Sequence, residues 1–495
     1  MRPGMRSSSS IVTGRRQMRN TLVPAAVLAG ALLLQPRAAA AGGLLLLEKP
    51  GSFLANVLKL IADIDLTLPD EAVTDGELED CGSDDQPPDS DDSPKLYLVD
   101  DDKRQCPFAQ FKSINDAILV APPGTKIFVC PGTYRENVLV SKPGLQLIGP
   151  RSVGPKTACL SSGSPDPTRE AIVSYDPRVP GVTFGFGIDV EASNVVIQGF
   201  TVQPALNAPG VSSFGIFARD TTSGNTVRNN VAQNNSVGID FNSSALPGAA
   251  PGFVQRNCLR NNNHDGGGPF GDGIYSDLGL HNAYIQHNFC TGNPTTCIVL
   301  LGSVLVNQNT NIEISHNEAV NDGAIWLVNT RNFLVDSNKV INPSNTGMLF
   351  GGGDDGGVVS YNDLRGGAAS VHGISIRSDE GGPFVPARNI YVKRNRVAGF
   401  PFDGIQLAEG VTLNTVEANR VFDNVMAGIG VVTAQLSDMP ATPPTNNTIQ
   451  KNHLRDNNPD CYDDTVGSGT AGTANDWIRN NGETENRPGL CKKGR

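Results

Sequence analysis

The segments TVRNNVA (226–232), FVQRNCL (253–259) and YIQHNFC (284–290) repeat one pattern: a β-branched residue, two variable residues, an Asn, one variable residue and a small or apolar residue. The pattern returns in EISHNEA (313–319), LVDSNKV (334–340), VVSYNDL (358–364), YVKRNRV (391–397), TVEANRV (415–421) and TIQKNHL (448–454). The recurrent Asn residues lie 21 to 33 residues apart and are Asn230, Asn257, Asn288, Asn317, Asn338, Asn362, Asn395, Asn419, Asn452 and Asn481. A period of this size predicts a solenoid of stacked coils.

Two further columns accompany the Asn column. Three residues before each Asn stands a Val or Ile, from Val227 to Ile449 and Ile478. Farther along the coil comes a Gly followed by Ile or Met, as in Gly238-Ile239, Gly273-Ile274, Gly347-Met348, Gly373-Ile374, Gly404-Ile405 and Gly428-Ile429. Short strands would stack the β-branched residues inside, and each Asn would form a tight bend, since Asn tolerates a left-handed backbone. Stacked Asn side chains can also hydrogen bond along their column. The columns predict an all-β parallel β-helix.

Residues 106–150, CPFAQFKSINDAILVAPPGTKIFVCPGTYRENVLVSKPGLQLIGP, resemble the opening of right-handed β-helix proteins of the pectin lyase-like superfamily. The resemblance implies a right-handed parallel β-helix over residues 103–491, with a short helix at roughly 111–121 that covers the apolar end of the first coil. It also implies that carbohydrate lies along the face of the strand marked by Gly-Ile.

The N-terminal region differs in composition from the repeats. Three Arg residues at 15, 16 and 19 precede an apolar run at 22–34 and small residues at 38–42, which predicts an export signal over 1–41 and a secreted, periplasmic or cell-surface protein. A retained anchor is the alternative; otherwise no stable membrane span is expected after processing. Residues 42–69 have helical spacing of apolar residues, and residues 70–102 carry 14 acidic residues and one Lys, which predicts a solvated linker. The formal net charge of −11 excludes a basic nucleic-acid binder.

The nine Cys residues include no C-x-x-C pair, so a zinc or thioredoxin-type site has no support. Export permits disulfides. We predict that Cys106 pairs with Cys130 and Cys461 with Cys491, and a Cys290–Cys297 pair is a further candidate. The odd number leaves at least one thiol free or paired between chains.

The Gly-Ile column places one series of side chains on the outer face of its strands, because the residue after each inward Ile points outward. The series is Asp189, Phe217, Asp240, Tyr275, Trp326, Leu349, Ser375 and Gln406. Acids, amides and aromatic rings suit a sugar chain, and we predict that Asp240, Tyr275, Trp326 and Gln406 contact it. An ordinary polar exterior with a few exposed aromatic residues is the alternative.

The candidate catalytic residues are His372, Arg377, Asp403, Asp354 and Asp355. His372 and Asp403 each precede the Gly of adjacent coils, so their backbones should lie one coil apart, and a His beside carboxylates can perform acid–base work. GDD (353–355) and HGISI (372–376) resemble polygalacturonase motifs, which implies glycoside hydrolysis. However, the polygalacturonase Asn-Thr-Asp signature is replaced by SNTGM at 344–348.

The segment NNNHDGGGPFGDGIYSD (261–277) offers Asp265, Asp272 and Asp277 as oxygen ligands for Ca²⁺. A Gly-rich loop without an ion is the alternative. His287 and His316 share a column on adjacent coils, but two His without a third ligand more often lie on the surface than in a metal site.

These patterns predict an exported β-helix that binds a polysaccharide, with a uronate-containing glycan favoured. Two classes of function remain open: a lyase, hydrolase or epimerase acting near His372, and a non-catalytic surface or matrix-binding solenoid. We expect the enzyme hypothesis to lose its best site unless His372, Asp403 and an Asp of 354–355 converge in one groove. Neither the sugar nor the oligomeric state follows from the sequence.

Overall fold

The structure is a computed structural model that describes residues 96–150, 154–161, 164–178, 184–205, 211–243, 250–263, 271–302, 308–378, 385–433 and 442–492. Within these ranges the chain forms three long sheets of 14, 14 and 12 strands, and strands from successive coils pair in parallel. Each full coil contributes one strand to each sheet in turn. The predicted parallel β-helix is therefore confirmed.

The strands are short, and their bounds follow the repeat. The first sheet comprises Leu96–Val99, Lys126–Val129, Gln146–Ile148, Val196–Gln198, Thr226–Arg228, Gly252–Gln255, His281–Gln286, Asn309–Ser315, Thr330–Asp336, Asp355–Ser360, Tyr391–Lys393, Thr415–Glu417, Thr448–Gln450 and Asp476–Ile478. The second sheet comprises Gly132–Tyr134, Ala171–Tyr175, Phe200–Pro204, Val231–Gln233, Cys258–Arg260, Phe289–Thr291, Glu318–Val320, Lys339–Ile341, Asp363–Arg365, Arg396–Ala398, Arg420–Phe422, His453–Arg455, Asn480–Asn481 and Cys491–Lys492. The third sheet comprises Val138–Val140, Phe184–Val190, Ser212–Ala218, Val237–Phe241, Asp272–Ser276, Thr296–Leu301, Ala324–Val328, Met348–Phe350, Ile374–Ile376, Ile405–Ala408, Ile429–Val432 and Cys461–Asp463.

The core is a set of stacked apolar columns inside the coils. In the first sheet Val227 pairs in register with Val254 and then with Ile285, and the column continues to Ile449. These side chains are at most 1% exposed. Burying one such side chain contributes about 1.5–3 kcal/mol, so the repeat of β-branched residues largely accounts for the stacking.

The bends between the first and second sheets differ from the prediction in one detail. The residue that takes the left-handed backbone is the one before each recurrent Asn, as at Asn229, Ser337 and Tyr361, whose φ angles are 54° to 55°. The recurrent Asn itself serves as a hydrogen-bonding residue. Its predicted role as the left-handed residue of the bend is therefore wrong, because its side chain hydrogen bonds the backbone of the preceding coil.

The recurrent Asn side chains form a continuous ladder along the molecule, which we call the Asn ladder. The backbone N–H of Asn338 donates to Oδ1 of Asn362 in the next coil at 2.8 Å, while Nδ2 of Asn362 donates to the Val335 carbonyl at 2.9 Å. The same pattern runs from Asn230 to Asn452 and ends at Asn480. Asn480, rather than Asn481, is the last member.

The other two corners carry shorter ladders of the same kind. Between the second and third sheets, Asn235, Asn262, Asn293 and Asp322 are linked in this order. Between the third and first sheets, Asn414, Asn447 and Asn475 are linked likewise. Because these side chains hydrogen bond to buried backbone groups at the bends, each corner is stabilised by its own polar contacts.

A capping helix, Ile114–Val120, covers the first coil, at the position that the resemblance implies. Ile114, Ala117 and Ile118 are its buried residues. Glu136 holds the start of this helix, since its carboxylate accepts from the N–H of Ile114 at 2.8 Å and of Asn115 at 3.0 Å. A carboxylate at a helix N-terminus satisfies donors that have no partner within the helix.

The predicted export signal, the amphipathic segment 42–69 and most of the acidic segment 70–102 lie outside the described residues. The end of the acidic segment is described, and Leu96–Val99 already pairs with Lys126–Val129 in the first sheet. The ordered stack thus includes residues before 103, where we placed its start. No helix in the described ranges is both long enough and apolar enough to span a membrane.

The described residues contain four disulfides. Two are the predicted pairs, Cys106–Cys130 and Cys461–Cys491, and a third is the candidate Cys290–Cys297. The fourth, Cys159–Cys258, was not expected because its partners lie 99 residues apart in sequence. Cys81, the ninth cysteine, falls outside the described ranges.

Candidate functional site

The predicted outer series of side chains forms one continuous row across the third sheet, which we call the third-sheet ladder. Asp189 pairs in register with Phe217, Phe217 with Asp240, and Asp240 with Tyr275. Farther along, the register runs through Val299, Trp326, Leu349, Ser375 and Gln406. The register confirms the order of the predicted row but inserts Val299, which was not predicted, between Tyr275 and Trp326. Adjacent members lie about 4.8 Å apart.

The members of the third-sheet ladder differ in exposure. Asp240, Ser375 and Gln406 are at most 5% exposed, whereas Tyr275 and Trp326 are partly exposed. Nε1 of Trp326 is a buried donor without a hydrogen-bond partner in the described structure. A buried polar group without a partner is uncommon, so this face combines accessible aromatic surface with unused hydrogen-bonding capacity.

The first coils add a cluster of Phe rings that sequence reasoning did not identify. Phe186 stacks on Phe217 with ring centroids 4.6 Å apart, and the Arg219 guanidinium lies over both rings. Arg219 also donates to Asp189 through Nε at 2.9 Å and through Nη2 at 2.6 Å. The spacing of Phe184, Phe186 and Phe217 on neighbouring strands was the available signal. The cluster forms an aromatic platform beside the acidic members of the ladder.

Next to the platform, one amide connects two carboxyl groups. Nδ2 of Asn242 donates to Asp240 at 2.7 Å and lies 3.4 Å from Asp277, while the Tyr275 hydroxyl lies 3.3 Å from Asp277. Burial raises the pKa of Asp240 well above its usual range, and the charge of Asp277 adds to this effect. Burial also raises the pKa of Asp277. Asp240 and Tyr275, two of the residues predicted to contact the sugar, thus belong to one hydrogen-bonded cluster with Asn242 and Asp277.

The predicted Ca²⁺ ligands do not come together. Asp272 begins the strand Asp272–Ser276 and accepts from the Thr296 hydroxyl, whereas Asp277 follows the strand's other end. Within the described ranges, no group of three close ligand atoms includes either residue. Asp265 lies outside those ranges. The two described carboxylates are separated by the length of an extended strand, so the prediction that they share one ion is wrong.

His372 and Asp403 do meet, at the start of neighbouring strands of the third sheet. Nδ1 of His372 lies 3.7 Å from Oδ2 of Asp403, and the His372 ring packs against Phe402. Asp403 accepts from the N–H of Ala427 at 3.0 Å and from Nε2 of Gln406 at 3.2 Å. The latter contact ties the pair to the third-sheet ladder.

Burial governs the protonation of this pair. It lowers the pKa of His372 to about 4, with a further contribution from the charge of Arg377, and raises the pKa of Asp403 to about 6. The imidazole is therefore neutral at pH 7, and Asp403 is the member of the pair whose pKa lies closer to the range suited to acid–base work near neutral pH. Nδ1 of His372 has no hydrogen-bond partner among the described residues.

The two remaining predicted acids take no part in this pair. Asp354 is buried in the bend after the third-sheet strand Met348–Phe350, where it accepts from the N–H of Thr330 at 2.7 Å and of Gly351 at 3.0 Å. Asp355 belongs to the first sheet and forms an ion pair with Arg388 at 3.0 Å. The predicted convergence of His372, Asp403 and these acids is therefore wrong, because a bend of the chain separates them.

Arg377 follows the strand Ile374–Ile376, and its N–H donates to the Phe350 carbonyl at 3.0 Å. It thus lies at the end of the strand opposite to His372. His287 and His316 stack with centroids 4.9 Å apart on exposed bends between the first and second sheets, away from the third-sheet ladder.

Two family models match the chain. Residues 303–491 match a model described as a right-handed beta helix region. The chain is a right-handed parallel β-helix protein. Residues 101–293 match a model described as a protein of unknown function, DUF1565. The right-handed β-helix fold that the resemblance implied is thereby confirmed.

Solved structures of low sequence identity are similar to this chain, and those with TM-scores above 0.5 share its fold. Two Asp-to-Ala variants of the catalytic domain of a GH87 alpha-1,3-glucanase, both in complex with nigerose, are 15% identical over 82% of this chain and 71% of theirs, with TM-scores of 0.53 and 0.52. The periplasmic alginate epimerase AlgG is 12% identical over 75% of this chain and 82% of its own, with a TM-score of 0.41. No curated protein matches the chain in sequence.

Proposed function

We propose that this β-helix binds a polysaccharide along the third-sheet ladder. The observation that carries the proposal is the pair of partly exposed aromatic rings in this row, Tyr275 and Trp326, because aromatic faces stack on apolar sugar faces. Asp240 and Gln406, which were also predicted to contact the sugar, are at most 5% exposed and lie beneath this surface. The fold shared with an alpha-1,3-glucanase bound to nigerose supports the same ligand class.

The sugar class is the finer part of the proposal. The family resemblance favours a uronate-containing glycan, and Arg377 would attract its carboxylates. Ionised Asp240 and Asp277 would repel them, although burial raises both pKa values. The ligand panel therefore includes pectin and alginate as uronate polymers and an alpha-1,3-glucan as a neutral polymer.

The test is binding of the full chain to this panel by affinity electrophoresis and calorimetry. Tyr275→Ala and Trp326→Ala should each weaken binding of the recognised polymer by about tenfold, as expected for loss of an aromatic anchor. Tyr361→Ala is the matched control, because Tyr361 is 52% exposed on a bend between the other two sheets. Equal effects of all three substitutions, or no effect of any, would place the ligand elsewhere.

A second candidate function is acid–base chemistry on the bound glycan by His372 and Asp403 alone, because the third carboxylate that the enzyme hypothesis required does not join them. The 3.7 Å approach of these side chains favours it. The assay follows reducing ends and the absorbance of unsaturated products, with and without Ca²⁺. His372→Gln should abolish any activity while leaving binding unchanged. Retained activity would exclude this pair as the catalytic group, and binding without turnover would support a matrix-binding solenoid.

The four disulfides support export to an oxidising compartment, because such bonds persist in secreted and periplasmic proteins. The proposed location is therefore outside the cytoplasm, in agreement with the predicted signal at 1–41. Detection of the mature chain in the culture medium or periplasmic fraction would test it.

A further inference from the structure

A second surface of the molecule is shaped by a short helix that leaves the solenoid. This lateral helix, Pro155–Leu160, packs on the outer face of the second sheet, against Val231–Gln233, Cys258–Arg260 and Phe289–Thr291. The Cys159–Cys258 disulfide joins it to the sheet, and Nζ of Lys156 forms an ion pair with Glu318 at 2.9 Å.

A small apolar cluster lies under the lateral helix, apart from the main core. It contains Ala158, Cys159, Val231, Cys258 and Phe289. Alternation along a strand would point the three sheet residues of this cluster toward solvent, so the helix is what buries them. The lateral helix is thus a fixed wall on the sheet rather than a loosely attached loop.

Beside this wall lies a pocket of about 650 Å³, which we call the lateral pocket. Its floor is one outward row of the second sheet, formed by Gln203, Gln233, Arg260 and Thr291 on consecutive coils. Ser164 stands in its wall. The volume falls within the range of small-molecule sites, about 300–1,000 Å³.

The floor of the lateral pocket is held in place by its own hydrogen bonds. Nε2 of Gln233 donates to Oε1 of Gln203 at 2.5 Å, and Nε of Arg260 donates to Oε1 of Gln233 at 2.6 Å. Nη1 of Arg260 donates to the Ser161 carbonyl at 2.6 Å, at the end of the lateral helix. The side chains are therefore ordered before a ligand arrives, which reduces the entropic cost of binding.

We propose that the lateral pocket binds a short, hydroxyl-rich oligosaccharide, at a site separate from the third-sheet ladder. The polar side chains of its lining carry amide, hydroxyl and guanidinium groups. Amides both donate and accept, as sugar hydroxyls do, and the positive charge of Arg260 favours a uronate carboxylate. The floor spans three coil spacings of about 4.8 Å, which suits a few linked sugar rings.

The test is calorimetric titration of the full chain with trisaccharides of galacturonate, mannuronate and alpha-1,3-linked glucose. Ser164→Trp fills the exposed wall of the pocket and should weaken binding at least about tenfold. Asn261 lines the pocket from a bend with φ 53°, so Asn261→Gly removes the amide but retains the backbone geometry. It should weaken binding about fivefold.

Asn321→Gly is the matched control, because Asn321 occupies the same bend two coils later with φ 51° and does not line the pocket. Gly292 already occupies this bend in the coil between them, with φ 74°. The proposal is supported if at least one of the three trisaccharides binds and Ser164→Trp and Asn261→Gly both weaken that binding. The same binding must persist with Asn321→Gly and Tyr275→Ala. Absence of binding by all three overturns it, as does binding that only Tyr275→Ala reduces.

Discussion

At the scale of single residues, the Asn ladder makes one strong prediction. Asn362→Ala should lower the free energy of unfolding by about 3 kcal/mol, because it leaves the buried Asn338 N–H and the Val335 carbonyl without the partners that Asn362 supplies. Denaturant titration followed by circular dichroism measures the loss.

Asn263→Ala is the control for this prediction. Asn263 is exposed and follows Asn262 of the shorter ladder without belonging to it. The control should change the free energy of unfolding by no more than about 0.5 kcal/mol. Similar values for the two variants would show that the Asn ladder adds little to stability.

The pKa of Asp272 gives a second prediction at this scale. Burial raises it from 3.8 to about 7, so the folded state holds this proton more tightly than the unfolded state does. The contribution of Asp272 to stability is therefore present below pH 4 and is lost as the pH rises toward 7. Asp272→Asn should remove this loss and retain an acceptor for the Thr296 hydroxyl.

The measurement is the difference in unfolding free energy between Asp272→Asn and the unsubstituted chain. Relative to the unsubstituted chain, Asp272→Asn should gain stability on the order of 2 kcal/mol as the pH is raised from 5 to 8. Asp322, whose pKa burial also raises to about 7, is unchanged in both proteins and largely cancels. A difference that does not vary with pH would contradict the raised pKa.

The residue-level predictions from sequence succeeded where a pattern repeats and failed where it changes by one position. At the last coil, either Asn480 or Asn481 could have continued the Asn ladder by spacing. The register of Trp477 with Ile449 and the hydrogen bond from the Asn452 N–H show that Asn480 does so. Asp354 and Asp355 are adjacent in sequence but fall on either side of a bend, so they enter different environments. Spacing alone does not show where the bend lies.

At the scale of elements, the capping helix depends on a residue outside it. Glu136→Ala should lower the free energy of unfolding by about 2 kcal/mol, because the N–H groups of Ile114 and Asn115 and the Ser113 hydroxyl lose their acceptor. Thermal denaturation measures the effect. Glu136→Gln keeps one acceptor oxygen and should lose only part of this stability. A larger loss in the Gln variant would exclude capping as the role of Glu136.

The strands themselves were largely predictable, whereas the surfaces between them were not. Alternation placed Asp240 and Tyr275 on the third-sheet ladder, as the register confirms. The lateral helix and its disulfide to Cys258 had no repeated signal, because they occur once and join segments 99 residues apart. A feature that occurs once in the sequence leaves no repeated pattern, so it is recognised only from the three-dimensional contacts that it makes.

At the scale of the whole molecule, each coil contacts mainly its neighbours, so a loss of stability at one end should not reach the central coils. The double substitution Cys461→Ala and Cys491→Ala removes the link between the last third-sheet strand and Cys491–Lys492. Hydrogen exchange should then increase in the last coil, including Asp476–Ile478, and remain unchanged in the central strand Thr330–Asp336. A uniform loss of protection would instead indicate one cooperative unit.

The Asn ladder has a direction, and this direction bears on synthesis. The N–H of each recurrent Asn finds its acceptor only in the coil that follows, and the same later Asn also binds a carbonyl of the earlier coil. During translation a coil therefore stays incomplete until the next one has emerged. A chain that grows from its N-terminus can add coils in order onto the capping helix, with a single unfinished edge at its advancing end.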